Sequence, residues 1–136
     1  VRDLTEEIKP GLKGEARIKV DENNTAITYE SGSVRVFATP AMIRLMEKAA
    51  LSSVDPLLEP GFTTVGTRVD VKHLSATPVG MNVVVTSRLV EAEGKRLLFE
   101  VEARDEAELI GTGMHERFIV KKESFVKRTE GKSANR

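Results

Sequence analysis

The stretch Phe37-Ala-Thr-Pro-Ala-Met-Ile-Arg-Leu-Met-Glu-Lys-Ala-Ala-Leu-Ser-Ser-Val54 carries the strongest helix signal in the chain. Thr39 is expected to cap it, because a threonine hydroxyl accepts a hydrogen bond from a free first-turn amide. Pro40 then falls at the first helical position, where its fixed φ suits the helix and its missing N–H is not needed. Asp55-Pro56 ends it. At 1.5 Å per residue the helix is a rod of roughly 22 Å. Met42, Leu45, Met46 and Ala49 form one apolar stripe, and Ile43, Ala50 and Val54 widen it. Only Arg44, Glu47 and Lys48 are charged. A helix apolar over so much of its circumference is expected to be wrapped by another element. Glu47, in its middle, is the residue that needs explaining.

Outward from the helix the chain reads mostly as strand. Ala16, Ile18 and Val20 alternate between Gly14 and Val20, which predicts a half-buried strand. Asp21 to Asn24 supplies turn chemistry, and Thr25 to Tyr29 is read as a short second strand. After the helix, Thr63 to Leu74 alternates through Val65, Thr67, Val69 and Val71. Met81 to Glu91 is a further strand, and Glu93-Gly94 turns it tightly into Arg96–Arg104, with Leu97, Phe99, Val101 and Ala103 on one face. Leu109 to Val120 is the last, with Gly111, Gly113, His115 and Arg117 sharing a face. Segregated elements of this kind predict an α+β domain. The economical packing is a hot-dog fold, a long central helix wrapped by a curled antiparallel sheet. A helix-grip or cystatin-like arrangement fits the same pattern. Residues 1–13 are read as a lead-in, 14–127 as a single domain, and 128–136 as a polar, disordered tail.

Composition narrows the function. At 136 residues the chain suits one domain with a proper core. Its 21 basic and 21 acidic residues cancel, and with no tryptophan and one tyrosine nothing suggests a nucleic-acid partner. No cysteine is present, so disulfides and thiolate metal sites are excluded. No apolar run approaches the ~20 residues of a membrane span, and the acidic opening residues do not read as a signal peptide. A cytoplasmic protein without a membrane partner is expected.

Three polar residues stand in apolar surroundings: Thr39, Glu47 and His73. Each has a bland explanation. Thr39 is a helix cap, Glu47 a solvated helix residue near Arg44 and Lys48, and His73 a structural histidine. His73 is read near the end of its strand, on the face opposite Val69 and Val71. Together, a hydroxyl, a carboxylate and an imidazole are the parts of an acyl-transfer site, although their spacing is no general catalytic signature.

Five blocks add a resemblance. Val36 to Glu47, Leu58-Glu-Pro-Gly61, Val65-Gly-Thr67, His73-Leu-Ser-Ala-Thr-Pro78 and Gly111-Thr-Gly-Met-His-Glu-Arg117 together resemble the fluoroacetyl-CoA thioesterase family of hot-dog proteins. The likeness runs from about Thr25 to Phe125. It implies a homodimeric acyl-CoA thioesterase whose catalytic Thr, Glu and His fall on Thr39, Glu47 and His73. The family's strand glycine falls on Gly66 and its arginine on Arg117, with Phe37 beside the substrate. Neither a cofactor nor a metal is implied; CoA enters as part of the substrate. Arg117, with Lys72 and Arg68, is expected to hold CoA phosphates, and His115 is read as structural. The family's fluoroacetyl-specific enzyme carries a longer, aromatic-rich segment before the central helix. Here Glu30 to Val36 holds no aromatic, so hydrolysis of short acyl-CoA in general is expected rather than fluorine selectivity. The alternatives are a hot-dog hydratase or dehydratase and a non-catalytic acyl-CoA-binding module.

Overall fold

The computed structural model describes residues 7–134. The first six residues of the expected lead-in, including the acidic opening, and the last two of the tail lie outside the described residues. Five strands form one antiparallel sheet: β1 (Lys13–Lys19), β2 (Phe62–His73), β3 (Asn82–Glu93), β4 (Arg96–Arg104) and β5 (Leu109–Lys121). Their order across the sheet is β1-β3-β4-β5-β2, which leaves β1 and β2 at the edges. The helix α1 (Thr39–Val54) lies against one face.

The reason is visible in which residues disappear from solvent. Ala41, Met42, Leu45, Met46, Ala49, Ala50 and Val54 of α1 are buried. Opposite them Val83, Val85 and Leu89 of β3 and Leu97, Phe99, Val101 and Ala103 of β4 are wholly buried. Burying each larger side chain contributes about 1.5–3 kcal/mol, so this two-layer contact dominates stability. It requires a close approach. A Cβ on Gly14 of β1 would run into the Ala49 carbonyl oxygen of α1 and the Ser87 hydroxyl of β3. The sheet covers one side of the helix. Arg44, Lys48 and Ser52 remain exposed, and Ile43, Glu47 and Leu51 form a half-covered flank.

Four expectations change. The helix begins at Thr39, its N-cap is Ala38, and no side chain caps it; Thr39 spends its hydroxyl elsewhere. Thr25 to Tyr29 is not a strand. Tyr29 N–H donates to the Thr25 carbonyl and Ser31 N–H to the Ala26 carbonyl, so local turns take the groups a ladder would use. Only a single bridge, Thr25 to Phe37, remains. The lead-in, placed outside the 14–127 domain, packs onto it where it is described, because Ile8 joins the core and Gly11 N–H donates to the Leu89 carbonyl. The tail read as disordered is helical, α2 (Lys122–Ala134), with Lys122 N–H bonded to the Gly61 carbonyl. Glu123 in its first turn and Lys132 in its last suit the helix dipole.

Replacing Gly14 by alanine tests the close packing. Helix backbone cannot yield as a flexible side chain does, so Gly14→Ala should cost about 1–3 kcal/mol in denaturant unfolding, the scale of overpacking. Unchanged stability would show that α1 does not sit on β1 at this spacing.

Candidate active site

Two clusters of polar side chains line the seam between α1 and the edge strand β2. The first lies where the helix begins and β2 ends. Thr39 Oγ1 and His73 Nδ1 are 2.7 Å apart. Phe37 is buried and meets the His73 ring edge-on, with centroids 6.5 Å apart and planes at 83°, so the imidazole is held from its side. His73 Nε2 is buried and has no hydrogen-bond partner among the described residues. A cleft of about 300 Å³ opens here, lined by Phe37, Thr39, His73 and Val36 with the Leu74 to Ala76 turn.

Burial lowers the His73 pKa below its ordinary value, while a backbone contact with Ser75 works the other way. A neutral ring at pH 7 is able to take a proton. Thr39, the first residue of α1, lines the same cleft, so the positive end of the helix dipole lies beside it, an environment that favours a developing oxyanion. Thr39 therefore acts as the hydrogen-bond partner of an imidazole, in place of its expected cap.

His73 shares a face with Val69 and Val71, contrary to the sequence reading. His73 pairs with Gly111, Val71 with Gly113 and Val69 with His115, all on the inner side of β5. The alternation read from Val65 through Thr67 to Val69 is broken by a register shift between Gly66 and Arg68. One extra residue there, Thr67, inverts the phase. Gly66 and Val69 thus share the inner face although three positions apart.

The second cluster forms at that bulge. Glu47 is eight residues beyond Thr39, or about 12 Å along the helix axis, and within one chain it does not touch the Thr39–His73 pair. Its Oε2 stands 3.9 Å from Nη1 of Arg117. Arg117 is 5% exposed. Its Nε donates to Thr64 Oγ1 (2.7 Å), its Nη2 to the Thr64 carbonyl (2.9 Å), and its Nη1 lies 3.1 Å from His115 Nε2. His115 Nδ1 in turn lies 2.8 Å from the Arg68 carbonyl. Gly66 is the floor of this cluster. A Cβ there would stand 3.2–3.3 Å from Glu47 Oε2, His115 Cε1 and Arg117 Nη1.

These contacts correct the expected role of Arg117. Its guanidinium is buried and committed to internal acceptors, so it is not a phosphate holder on a solvated strand face. Lys72 and Arg68 are exposed, Arg68 beside Asp70. His115, Thr64 and the Arg68 carbonyl were missed as site groups. The alternation Gly111, Gly113, His115, Arg117 did place His115 beside Arg117. Only the structure shows that this small and polar face, not the apolar one, meets the helix.

The fold, with a hydroxyl–imidazole pair at the head of its central helix, defines a hot-dog domain. A hot-dog-like protein from Thermanaerovibrio acidaminovorans superposes with a TM-score of 0.87 at 27% identity, covering 96% of this chain and 97% of that one. This settles the fold against the helix-grip and cystatin-like alternatives. The chain belongs to the fluoroacetyl-CoA-specific thioesterase family (FlK), whose profile it matches over residues 20–123. A solved fluoroacetyl-CoA thioesterase FlK superposes with a TM-score of 0.85 at 35% identity, over 91% of this chain and 96% of that one. A thioesterase superfamily member from Thermus thermophilus gives 0.84 at 32% identity, over 95% and 98%. The fluoroacetyl-CoA thioesterase of Streptantibioticus cattleyicolor is 46% identical over 90 residues, 66% of this chain; the chain spans 65% of that relative's length.

Both histidines have folded-state pKa values below the ordinary 6.5, through burial first and, for His115, also through the Arg117 cation, with the hydrogen bond to the Arg68 carbonyl and then Glu47 opposing. Unfolding therefore takes up protons below 6.5. Their contribution to stability is complete above that value and is lost as pH falls through the folded values. The melting temperature should fall between about pH 7.5 and about pH 5.5, and His115→Gln should flatten the dependence. An equal slope in the variant would remove His115 from this account.

Proposed function

We propose that the protein hydrolyses short-chain acyl-CoA thioesters to the free acid and CoA. The observation that carries this reading is the 2.7 Å contact between Thr39 Oγ1 and His73 Nδ1 at the head of α1, in a chain of the fluoroacetyl-CoA-specific thioesterase family. A nucleophile within about 2.6–3.2 Å of its base is the arrangement acyl transfer needs.

In this mechanism the Thr39 oxygen attacks the thioester carbon while its proton passes to His73. The first-turn amides of α1 stabilise the resulting oxyanion. Collapse breaks the C–S bond, and the CoA sulfur leaves as thiol with the proton from His73. Water then attacks the acyl-threonine and loses its proton to His73; as the C–Oγ1 bond breaks and the acid leaves, His73 returns that proton to the Thr39 oxygen. Phe37 keeps the imidazole in place. The chemistry proposed uses side chains and backbone amides of the protein and calls on no metal or cofactor. The short 25–36 segment offers Val36 and Tyr29 but no crowded aromatic lid, which favours small acyl groups generally over fluoroacetyl selectivity.

Glu47 enters through a homodimer. The edge strand β2 has open hydrogen-bonding groups, and Val69, although on the inner face, is 40% exposed. Pairing an exposed edge with a second copy protects it. An antiparallel β2–β2 contact centred near Val69 and Asp70 sets residue 66 of one copy opposite residue 73 of the other. The two-fold thus exchanges the two ends of the seam and brings one copy's Glu47 toward the other's Thr39–His73 pair. There the carboxylate orients the attacking water. Among the described residues no helix is long and apolar enough to cross a membrane, and a cysteine-free chain fits the reducing cytoplasm, where we place it.

Thiol release from acetyl- and propionyl-CoA is the direct test. Thr39→Ala and His73→Ala should each lower turnover by about 10²–10⁴, whereas Thr39→Ser should keep much of it. Loss of the double bond from an enoyl-CoA without thiol release would identify a hydratase, and binding without either reaction a non-catalytic module.

A mixing experiment separates sites built within one chain from sites shared between two. Equal amounts of Thr39→Ala and Glu47→Gln, unfolded and refolded together, should regain about a quarter of parental turnover, because half the dimers are mixed and each then holds one intact site. A mixture as inactive as its components would place Glu47 in its own chain's site or outside the chemistry.

A further inference from the structure

We infer that His115 is a positioning residue: locked by the β2 bulge into the neutral tautomer with the proton on Nδ1, it holds the buried Arg117 guanidinium in the orientation that sets Glu47. The inference rests on the thioesterase reading above and assigns a role to groups that reading leaves unused.

Two independent contacts fix the tautomer. The Arg68 carbonyl, 2.8 Å from Nδ1, is only an acceptor, so Nδ1 must carry the proton. A guanidinium nitrogen is only a donor, so Nε2, 3.1 Å from Arg117 Nη1, must be bare. Both demands are met by one neutral ring, and a doubly protonated ring would set a proton against a cation. The charged groups facing the imidazole are Arg117 from its own strand and Glu47 from α1; β2 presents the Arg68 carbonyl and the Gly66 backbone. The register shift between Gly66 and Arg68 falls at this ring: the Arg68 carbonyl meets Nδ1 and Gly66 lies against the ring's Cε1.

The guanidinium is consequently oriented from three sides. Thr64 takes Nε and Nη2, and His115 takes one hydrogen of Nη1. Nη1 has a second hydrogen, and this nitrogen is the one that stands 3.9 Å from Glu47 Oε2. Without the His115 acceptor, Nη1 would keep a buried, unsatisfied hydrogen, an unfavourable state. The group would turn to satisfy it, and the Glu47 carboxylate, which is only half-buried, would move with it. A Cβ on Gly66 would come within 3.2 Å of the same carboxylate oxygen, so the glycine leaves room for Glu47 beside the strand.

Nitrogen-15 NMR of the imidazoles in the wild-type protein near neutral pH tests the tautomer directly. A neutral His115 with Nδ1 protonated is expected; an Nε2-protonated or charged ring overturns the inference. Steady-state thiol release then tests the consequence. His115→Phe fills the ring's space without an acceptor and should lower kcat by about 10²-fold, the scale of an ångström-sized misplacement, with KM changed less than about twofold. His115→Gln, whose amide donates to Arg68 and accepts from Arg117, should recover about tenfold of that loss. Unchanged kcat in His115→Phe, a loss confined to KM, or no recovery in His115→Gln overturns the positioning role. If His115→Phe does not fold, the tautomer and the kcat of His115→Gln against wild type decide. An inactive wild-type protein would instead overturn the proposed function, a result distinct from an active wild type with an indifferent His115.

Discussion

Everything in this protein depends on how closely α1 approaches the sheet. The helix offers alanines, methionines and a leucine to β3 and β4, and glycines at the contact points let the layers meet. Gly14 admits the Ala49 carbonyl region on one side, and Gly111 admits the Met42 side chain on the other. The contact is held by burial, which has no direction of its own, so these small residues set the position of the helix. Once α1 is seated, its first residue is delivered to the end of β2 and its middle to the β2 bulge. The two polar clusters are consequences of that seating.

The bulge has an effect out of proportion to its size. A regular strand would keep Val65, Thr67, Val69 and Val71 on one face. One extra residue after Gly66 instead gives β2 two phases: Thr64 and Gly66 face inward before it, and Val69, Val71 and His73 after it. His73 thereby reaches Thr39, and Gly66 reaches Glu47, from the same strand. Two sites that need opposite registers are served without bending the sheet out of contact with the helix.

The electrostatics of the second cluster follow from burial. An unpaired charge beneath a helix would be strongly unfavourable. Arg117 is tolerated because Thr64 and His115 accept its hydrogens and Glu47 supplies the opposite charge at a distance of 3.9 Å. His115 serves this arrangement only as a neutral ring, which its burial and the neighbouring cation both favour. Buried polar groups of this kind are stable only as a completed set.

Local chemistry settled much of this in the sequence itself. The apolar stripe from Met42 to Val54 dictated a packed helix, and alternation gave β4 its bounds and placed β1, β2, β3 and β5 to within two residues. The Gly94 hairpin and the stop at Asp55-Pro56 are equally local. The residue types for acyl transfer, and the blocks that carry the family likeness, were also legible. Other features needed the third dimension. Thr39 is as good a cap as any threonine until a histidine from a distant strand claims its hydroxyl. Thr25 to Tyr29 has strand-forming residues, but local turn bonds compete for its backbone. A bulge inverts a two-residue alternation without leaving a mark in composition. Arg117 reads as a surface cation because sequence periodicity tells which residues share a face but not which face meets the helix. That choice belongs to packing: the small and polar side of β5 is turned inward because α1 and β2 bring it the partners its charge requires.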